Sequence, residues 1–177
     1  NPSLVGSEMC IRDSFLQDSV RGSTYTLYSN DTAAQFNETQ AVTSFTSTGF
    51  NLGTYTGTNT TNNTYVAWNW KSGGLASINT EGTITSVVSA NQAAGFSVVK
   101  HTGTGSAATV GHGLSSTPEL IIRKDLDATT DWWVYAPVSP YFGYLNNTDA
   151  FNSANNAAYS YNQTVPTSTI FNVGNTY

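Results

Sequence analysis

Three aspartates stand close enough together to hold a cation: Asp125, Asp127 and Asp131, in the run Lys124-Asp125-Leu126-Asp127-Ala128-Thr129-Thr130-Asp131. Calcium draws several oxygens from one compact loop, so this run is a weak candidate calcium loop. The competing reading is a solvated hairpin turning between Glu119–Lys124 and Asp131–Ala136. Zinc finds too few ligands, because His101 and His112 are the two histidines and a zinc centre draws on more convergent N and S donors than that. His112 lies between two glycines, which reads as a tight turn. No Gly-x-Ser-x-Gly elbow and no Gly-x-x-x-x-Gly-Lys-Ser/Thr phosphate loop occurs. Glycoside hydrolysis needs two carboxylates flanking the sugar, and Glu38, Glu81 and Glu119 pair with no aspartate at a spacing that implies it. No catalytic residue, metal or cofactor is assigned on these grounds.

Aromatic side chains offer a second chemistry. Sugars stack on exposed rings while amide side chains donate to and accept from their hydroxyls. Trp68, Trp70, Trp132, Trp133, Tyr135, Tyr141, Phe142 and Tyr144 supply aromatic surface, and Trp133, Tyr135, Tyr141, Tyr144 and Asn146 are the candidate ligand contacts. Alternation sets Trp132 and Val134 on one face against Trp133 and Tyr135 on the other. One of these aromatic pairs can face outward to a ligand; the competing reading is that the aromatics form the core, as expected in a sandwich with few leucines.

Strands must position such residues, since no window carries helical periodicity uninterrupted by glycine or β-formers. Short alternating runs occur at Tyr25–Tyr28, Thr64–Lys71, Thr83–Val88, Gly95–His101, Glu119–Lys124, Asp131–Ala136 and Ser168–Val173. The clearest is Thr64–Lys71, with Val66, Trp68 and Trp70 on one face. Between the runs lie turn formers such as Gly73-Gly74, Glu81-Gly82, Gly111-His112-Gly113 and Ser116-Thr117-Pro118. Many short strands with such punctuation predict an all-β, antiparallel sandwich.

Composition agrees. Thr 27, Ser 20, Asn 18 and Gln 5 make up 70 of the 177 residues, and charged residues are only 10%, against roughly 25% in typical soluble domains. An aromatic share of 12% argues against disorder. Six Lys and Arg against eleven Asp and Glu give a net charge of −5. The cations are scattered, so the clustered positive surface that binds phosphates is missing and no nucleic-acid partner is expected. No apolar run approaches the ~20 residues that cross a bilayer as a helix, so no membrane partner is expected.

Two features subdivide the chain. Leu4–Ser14 resembles one reading frame of a transposase mosaic-end adaptor used to prepare sequencing libraries. Residues 1–14 are accordingly expected to be an artefact, as fusion scars are, ahead of a metagenomic open reading frame. Cys10, the single cysteine, and Met9 both lie there. Further on, Thr46-Ser47-Thr48-Gly49-Phe50-Asn51-Leu52-Gly53 parallels Thr167-Ser168-Thr169-Ile170-Phe171-Asn172-Val173-Gly174, 121 residues later. The repeat and the Gly73-Gly74 pair predict residues 15–71 as the C-terminal half of a first β unit. Residues 72–177 are then a second unit, truncated before its last strand.

The strings Thr64-Tyr65-Val66-Ala67-Trp68-Asn69-Trp70-Lys71, Ala94-Gly95-Phe96-Ser97-Val98-Val99, His101-Thr102-Gly103-Thr104-Gly105, Val110-Gly111-His112-Gly113-Leu114, Pro118-Glu119-Leu120-Ile121-Ile122 and Trp133-Val134-Tyr135 resemble a repeat common in virion proteins of marine tailed phages. Asp18-Ser19-Val20-Arg21-Gly22 is similar to an earlier segment of that family, so the resemblance covers nearly all of 15–177. It implies a concanavalin A-like or LamG-like jelly-roll sandwich in a tail-fibre or tail-associated structural protein of the virion. The partners so implied are further copies of the fibre protein, other virion proteins and host-surface glycans. The resemblance brings no catalytic residues with it, and Ala136-Pro137 departs from the basic or His residue that relatives often carry there. The alternative function is a fragment of a glucanase-like carbohydrate-active enzyme, which shares the architecture.

Overall fold

The computed structural model describes residues 14–137, 142–149, 151 and 164–174. The segment resembling an adaptor lies almost wholly outside these residues. Among the described residues the protein is a β-sandwich of antiparallel sheets with two short helical turns.

The N-terminal part is built from β1 (Phe15–Asp18), β2 (Gly22–Tyr28) and β3 (Phe36–Asn37), which form one sheet in that order, and from the hairpin β4 (Val42–Phe45) with β5 (Phe50–Leu52). The first turn is closed by Asp18, whose carboxylate accepts the backbone N–H of Val20 and Arg21 and pairs with the Arg21 guanidinium. An aromatic cluster holds this part together. The Phe15 ring meets Tyr28 edge-on at 5.2 Å and Tyr55 at 5.7 Å, and Tyr28 tilts against Phe36 at 5.2 Å. A helical turn, α1 (Thr56–Asn59), follows.

The second part opens with the sheet β6 (Ser77–Asn79), β7 (Ser86–Asn91) and β8 (Phe96–His101). The turn from β7 to β8 is built from local contacts. The Asn91 side chain accepts the Ala94 N–H at 3.1 Å to cap a 3-10 turn, and Gly95 ends it at φ 65°, where a Cβ would be strained. Two further sheets complete the sandwich. In one, β9 (Ala108–Gly111) pairs with β13 (Ile170–Val173). In the other, β10 (Ile121–Arg123), β11 (Trp133–Tyr135) and β12 (Phe142–Tyr144) pair in sequence order.

The core lies between them. Ile84, Val110, Trp133, Tyr135, Phe142, Phe171 and Val173 are buried together, with Val99, Ala108, Ile121 and Tyr144 packed at the margin. Each aromatic ring buried there removes ~150–250 Å² from water, at ~25 cal/mol per Å². These rings contribute what a leucine-poor chain lacks.

Two expectations need correction. Thr64–Lys71, the clearest alternating run, pairs with no strand among the described residues and is exposed throughout. Alternation sets which side chains share a face but supplies no partner backbone. Conversely, β1, β3, β4, β5, β6, β9 and β12 lie outside every alternating run, because their short or Ser- and Thr-rich sequences carry little alternation. The two parallel strings Phe50–Gly53 and Phe171–Gly174 both contain strands, but β5 pairs with its immediate neighbour β4 whereas β13 pairs with the distant β9.

The boundary placed at residue 71/72 is crossed by backbone and side-chain bonds. Gln35 N–H donates to the Leu126 carbonyl at 2.9 Å, and Thr130 N–H donates to Thr32 at 3.0 Å. The indole N–H of Trp132 is shared between the carbonyls of Tyr28 and Asp31 at 3.0 and 2.9 Å.

Candidate functional site

The Lys124–Asp131 loop is the hairpin connection between β10 and β11, whose register sets Ile121 opposite Tyr135, Ile122 opposite Val134 and Arg123 opposite Trp133. Its aspartates do not converge on a vacant centre. Asp125 accepts the Asp127 N–H at 2.9 Å, a local turn bond. Asp131 accepts from the Asn146 amide at 2.8 Å. The centre of the loop is filled by the protein's own cation: Lys124 Nζ donates to the carbonyls of Asp125 (2.7 Å) and Ala128 (2.9 Å) and to the Thr130 hydroxyl (3.2 Å). Burial lowers the Lys124 ammonium below its usual range, while Asp125, Asp131 and Asp31 pull the other way. Among the described residues no group of three or more His, Cys, Asp and Glu could hold a metal. The candidate calcium loop is therefore a lysine-centred turn.

The candidate ligand-contacting residues divide. Trp133 and Tyr135 are core residues: Trp133 packs against Tyr144 at 4.7 Å, and Tyr135 against Phe142 at 5.7 Å. The opposite face of the same strand is no more open, since Trp132 and Val134 are also buried. The 28–32 segment covers it, drawn in by the Trp132 N–H. The expectation that one aromatic face of 132–135 stays open is thus corrected. Tyr144 is half-buried against Trp133. Asn146 is spent internally, its oxygen accepting the Trp132 N–H at 2.7 Å and its nitrogen donating to Asp131. Tyr141 lies outside the described residues.

The Val110-Gly111-His112-Gly113-Leu114 string forms a clasp. His112 Nδ1 accepts the Leu114 N–H at 3.1 Å, which leaves the proton on Nε2, 3.2 Å from the Thr167 carbonyl that it donates to. The His112 N–H adds a bond to Thr169 at 3.1 Å. The glycines are steric necessities. A Cβ on Gly111 would overlap the Asn79 amide, and Gly113 sits at φ 72° against Ala90 and Val88. Burial lowers the His112 pKa, opposed by the Thr167 hydrogen bond and by Glu81. His101 is lowered by burial and by Arg123, and its ring meets Phe171 edge-on at 6.2 Å. Both histidines thus serve in packing and hydrogen bonding, with their pKa values below the ordinary imidazole value.

The exposed aromatic surface lies elsewhere, at Trp68 and Trp70. A broad open cleft of about 3160 Å³ is lined in part by Val66, Trp68, Trp70, Phe96, Leu120 and Ile122. The alternation of 64–71 is visible in the sequence; its exposure is not.

Among the described residues no helix is long and apolar enough to cross a membrane. No curated protein and no solved structure matches the chain. One family model covers both the N-terminal and C-terminal parts, beginning inside the 4–14 segment, and on that match over residues 6–177 the chain belongs to the DUF7483 family, a domain of unknown function.

Proposed function

We propose that the chain is a non-enzymatic structural module of a phage tail or tail fibre, exposed on the virion, with a concanavalin A-like jelly-roll arrangement of its sandwich. Its partners are further copies of the fibre protein or other virion proteins, and it contributes to contact with host-surface glycans. The observation that carries the non-enzymatic reading is the use made of the acids. Asp18, Asp31, Glu38, Asp125 and Asp131 each accept a local bond that shapes a turn or orients a neighbour, which leaves those carboxylates engaged rather than paired across a sugar site. The phage assignment rests on the sequence strings above, and a surface rich in Thr, Asn and Ser with few charges fits extracellular stacking.

The test is a panel of bacterial-envelope glycans probed with residues 15–177, run beside an assay for reducing ends released from β-glucans. Glycan binding without release supports the module. Release of reducing ends overturns it in favour of the glucanase alternative. Silence in both assays removes the glycan contact and leaves a scaffold.

A further inference from the structure

The repeated string is kept in three dimensions as well as in sequence. In the first copy the Thr46 N–H donates to the Gly49 carbonyl at 2.8 Å, and the Thr48 N–H donates to the Thr46 hydroxyl at 3.4 Å. In the second the Thr167 N–H donates to the Ile170 carbonyl at 2.9 Å, and the Thr169 N–H donates to the Thr167 hydroxyl at 3.3 Å. One turn therefore feeds β5 in the first unit and β13 in the second. Gly49, Phe50, Asn51 and Leu52 stand in the places of Ile170, Phe171, Asn172 and Val173.

Successive residues of an antiparallel strand turn their N–H and C=O groups to opposite edges. Gly49 and Gly53 face β4, bonding to Thr46 and Ala41 at 2.8 and 3.2 Å, and Asn51 lies in phase with them. Phe50 and Leu52 then face the other way, to an edge that pairs with nothing among the described residues. In the second unit the same edge is filled. The Thr169 carbonyl accepts the His112 N–H at 3.1 Å, and Phe171 and Val173, in phase with it, face Val110 and Ala108 of β9.

The side chains record the same difference. Phe171 and Val173 are 5% and 6% exposed, in the core beside Val110, whereas Phe50 is half-buried and Leu52 is 41% exposed. The two units thus share a turn, a strand and its phase. They differ in whether a strand like β9 lies alongside.

We propose that the open edge of β5 is a strand-acceptor site, and that its occupant is a strand of the Ala108-Thr109-Val110-Gly111-His112-Gly113 pattern from a further unit of this repeat. The pairing is antiparallel, with the incoming valine opposite Phe50 and the incoming histidine N–H on the Thr48 carbonyl, as β9 meets β13. Strand addition of this kind supplies main-chain hydrogen bonds and covers alternate side chains, here Phe50 and Leu52. The chain's own β9 is not the occupant, because both its edges are taken: β13 holds one, and Ile84 holds the other through its N–H to the Thr109 carbonyl at 3.0 Å. The proposal deepens the structural-module reading and rests on it for the partner being a further unit.

A peptide of residues 106–115, added at millimolar concentration to the unaltered chain, tests the edge by amide exchange resolved residue by residue. Exchange at Phe50 and Leu52 should slow at least tenfold, while Asn51, whose N–H faces β4, keeps its rate. N-methylation of the peptide at Val110, whose N–H faces the acceptor edge, should remove the effect. N-methylation at Thr109, whose N–H faces away, should preserve it. Leu52→Pro removes an N–H that enters no ladder among the described residues; it should abolish the protection of Phe50 with the thermal transition retained. Absence of protection at β5, protection confined to residues 108–111 or 170–173, or equal effects of the two methylated peptides would each overturn the proposal. The glycan and glucan assays are read without the peptide, so failure here is distinct from failure of the module reading.

Discussion

The ammonium nitrogen of Lys124 lies 2.9 Å from the carbonyl oxygen of Ala128, at the centre of a loop whose three aspartates suggest a metal. The lysine does there what a bound cation would do: it gathers the carbonyls of Asp125 and Ala128 and the Thr130 hydroxyl around one positive charge. Lys124→Met keeps the length and removes the charge. It should destabilise the fold by ~1–3 kcal/mol through three polar groups left without a donor, measured as a lower midpoint in urea. Addition of millimolar calcium to the unaltered protein should leave its melting temperature unchanged.

The core position of Tyr135 gives a second prediction. Tyr135→Ala should cost ~3–5 kcal/mol, as large aromatic truncations in a core do. Any loss of glycan signal should track the unfolded fraction instead of a weakened affinity. Urea titration alongside binding at matched folded concentration separates the two.

Trp132 joins the two parts of the chain through one N–H shared by Tyr28 and Asp31. Trp132→Phe keeps an aromatic ring but removes the indole N–H, and should cost ~1–3 kcal/mol, with the partly buried carbonyls of Tyr28 and Asp31 left without that donor. Exchange protection should fall at Gln35 and Thr130 while the β7–β8 amides keep theirs.

His101 and His112 are both held below the ordinary value of 6.5. The unfolded chain therefore binds protons near pH 6 that the folded chain refuses. Stability is fully present above about pH 6.5 and is lost as pH falls from there toward the folded-state values, where the loss levels off. The melting temperature should decline between pH 7 and pH 5, and His112→Gln should flatten part of that decline while lowering stability at pH 7.

What the sequence reveals here is class and turns more than partners. The tight turn expected at Gly111-His112-Gly113 is instead the end of β9 and a clasp onto Thr167 and Thr169, and Gly95, read as the start of a strand run, closes the β7–β8 turn with Asn91. The β10–β11 hairpin is legible because both strands alternate and the loop is polar. The burial of Trp132 and Trp133 on opposite faces of one strand is not, since it depends on the 28–32 segment lying about a hundred residues away. Thr64–Lys71 shows the converse, a strong local pattern that joins no ladder among the described residues. The Lys124 arrangement was hidden by its acidic neighbours, although a lysine at the head of an Asp-x-Asp turn is the one signal that could have disclosed it.

The most direct test of the assignment to a phage tail is the DNA flanking the coding segment, read by long-read sequencing of the source sample. The account predicts genes for tail, baseplate or fibre proteins on the same strand beside it. A cellular metabolic operon in that position would contradict it.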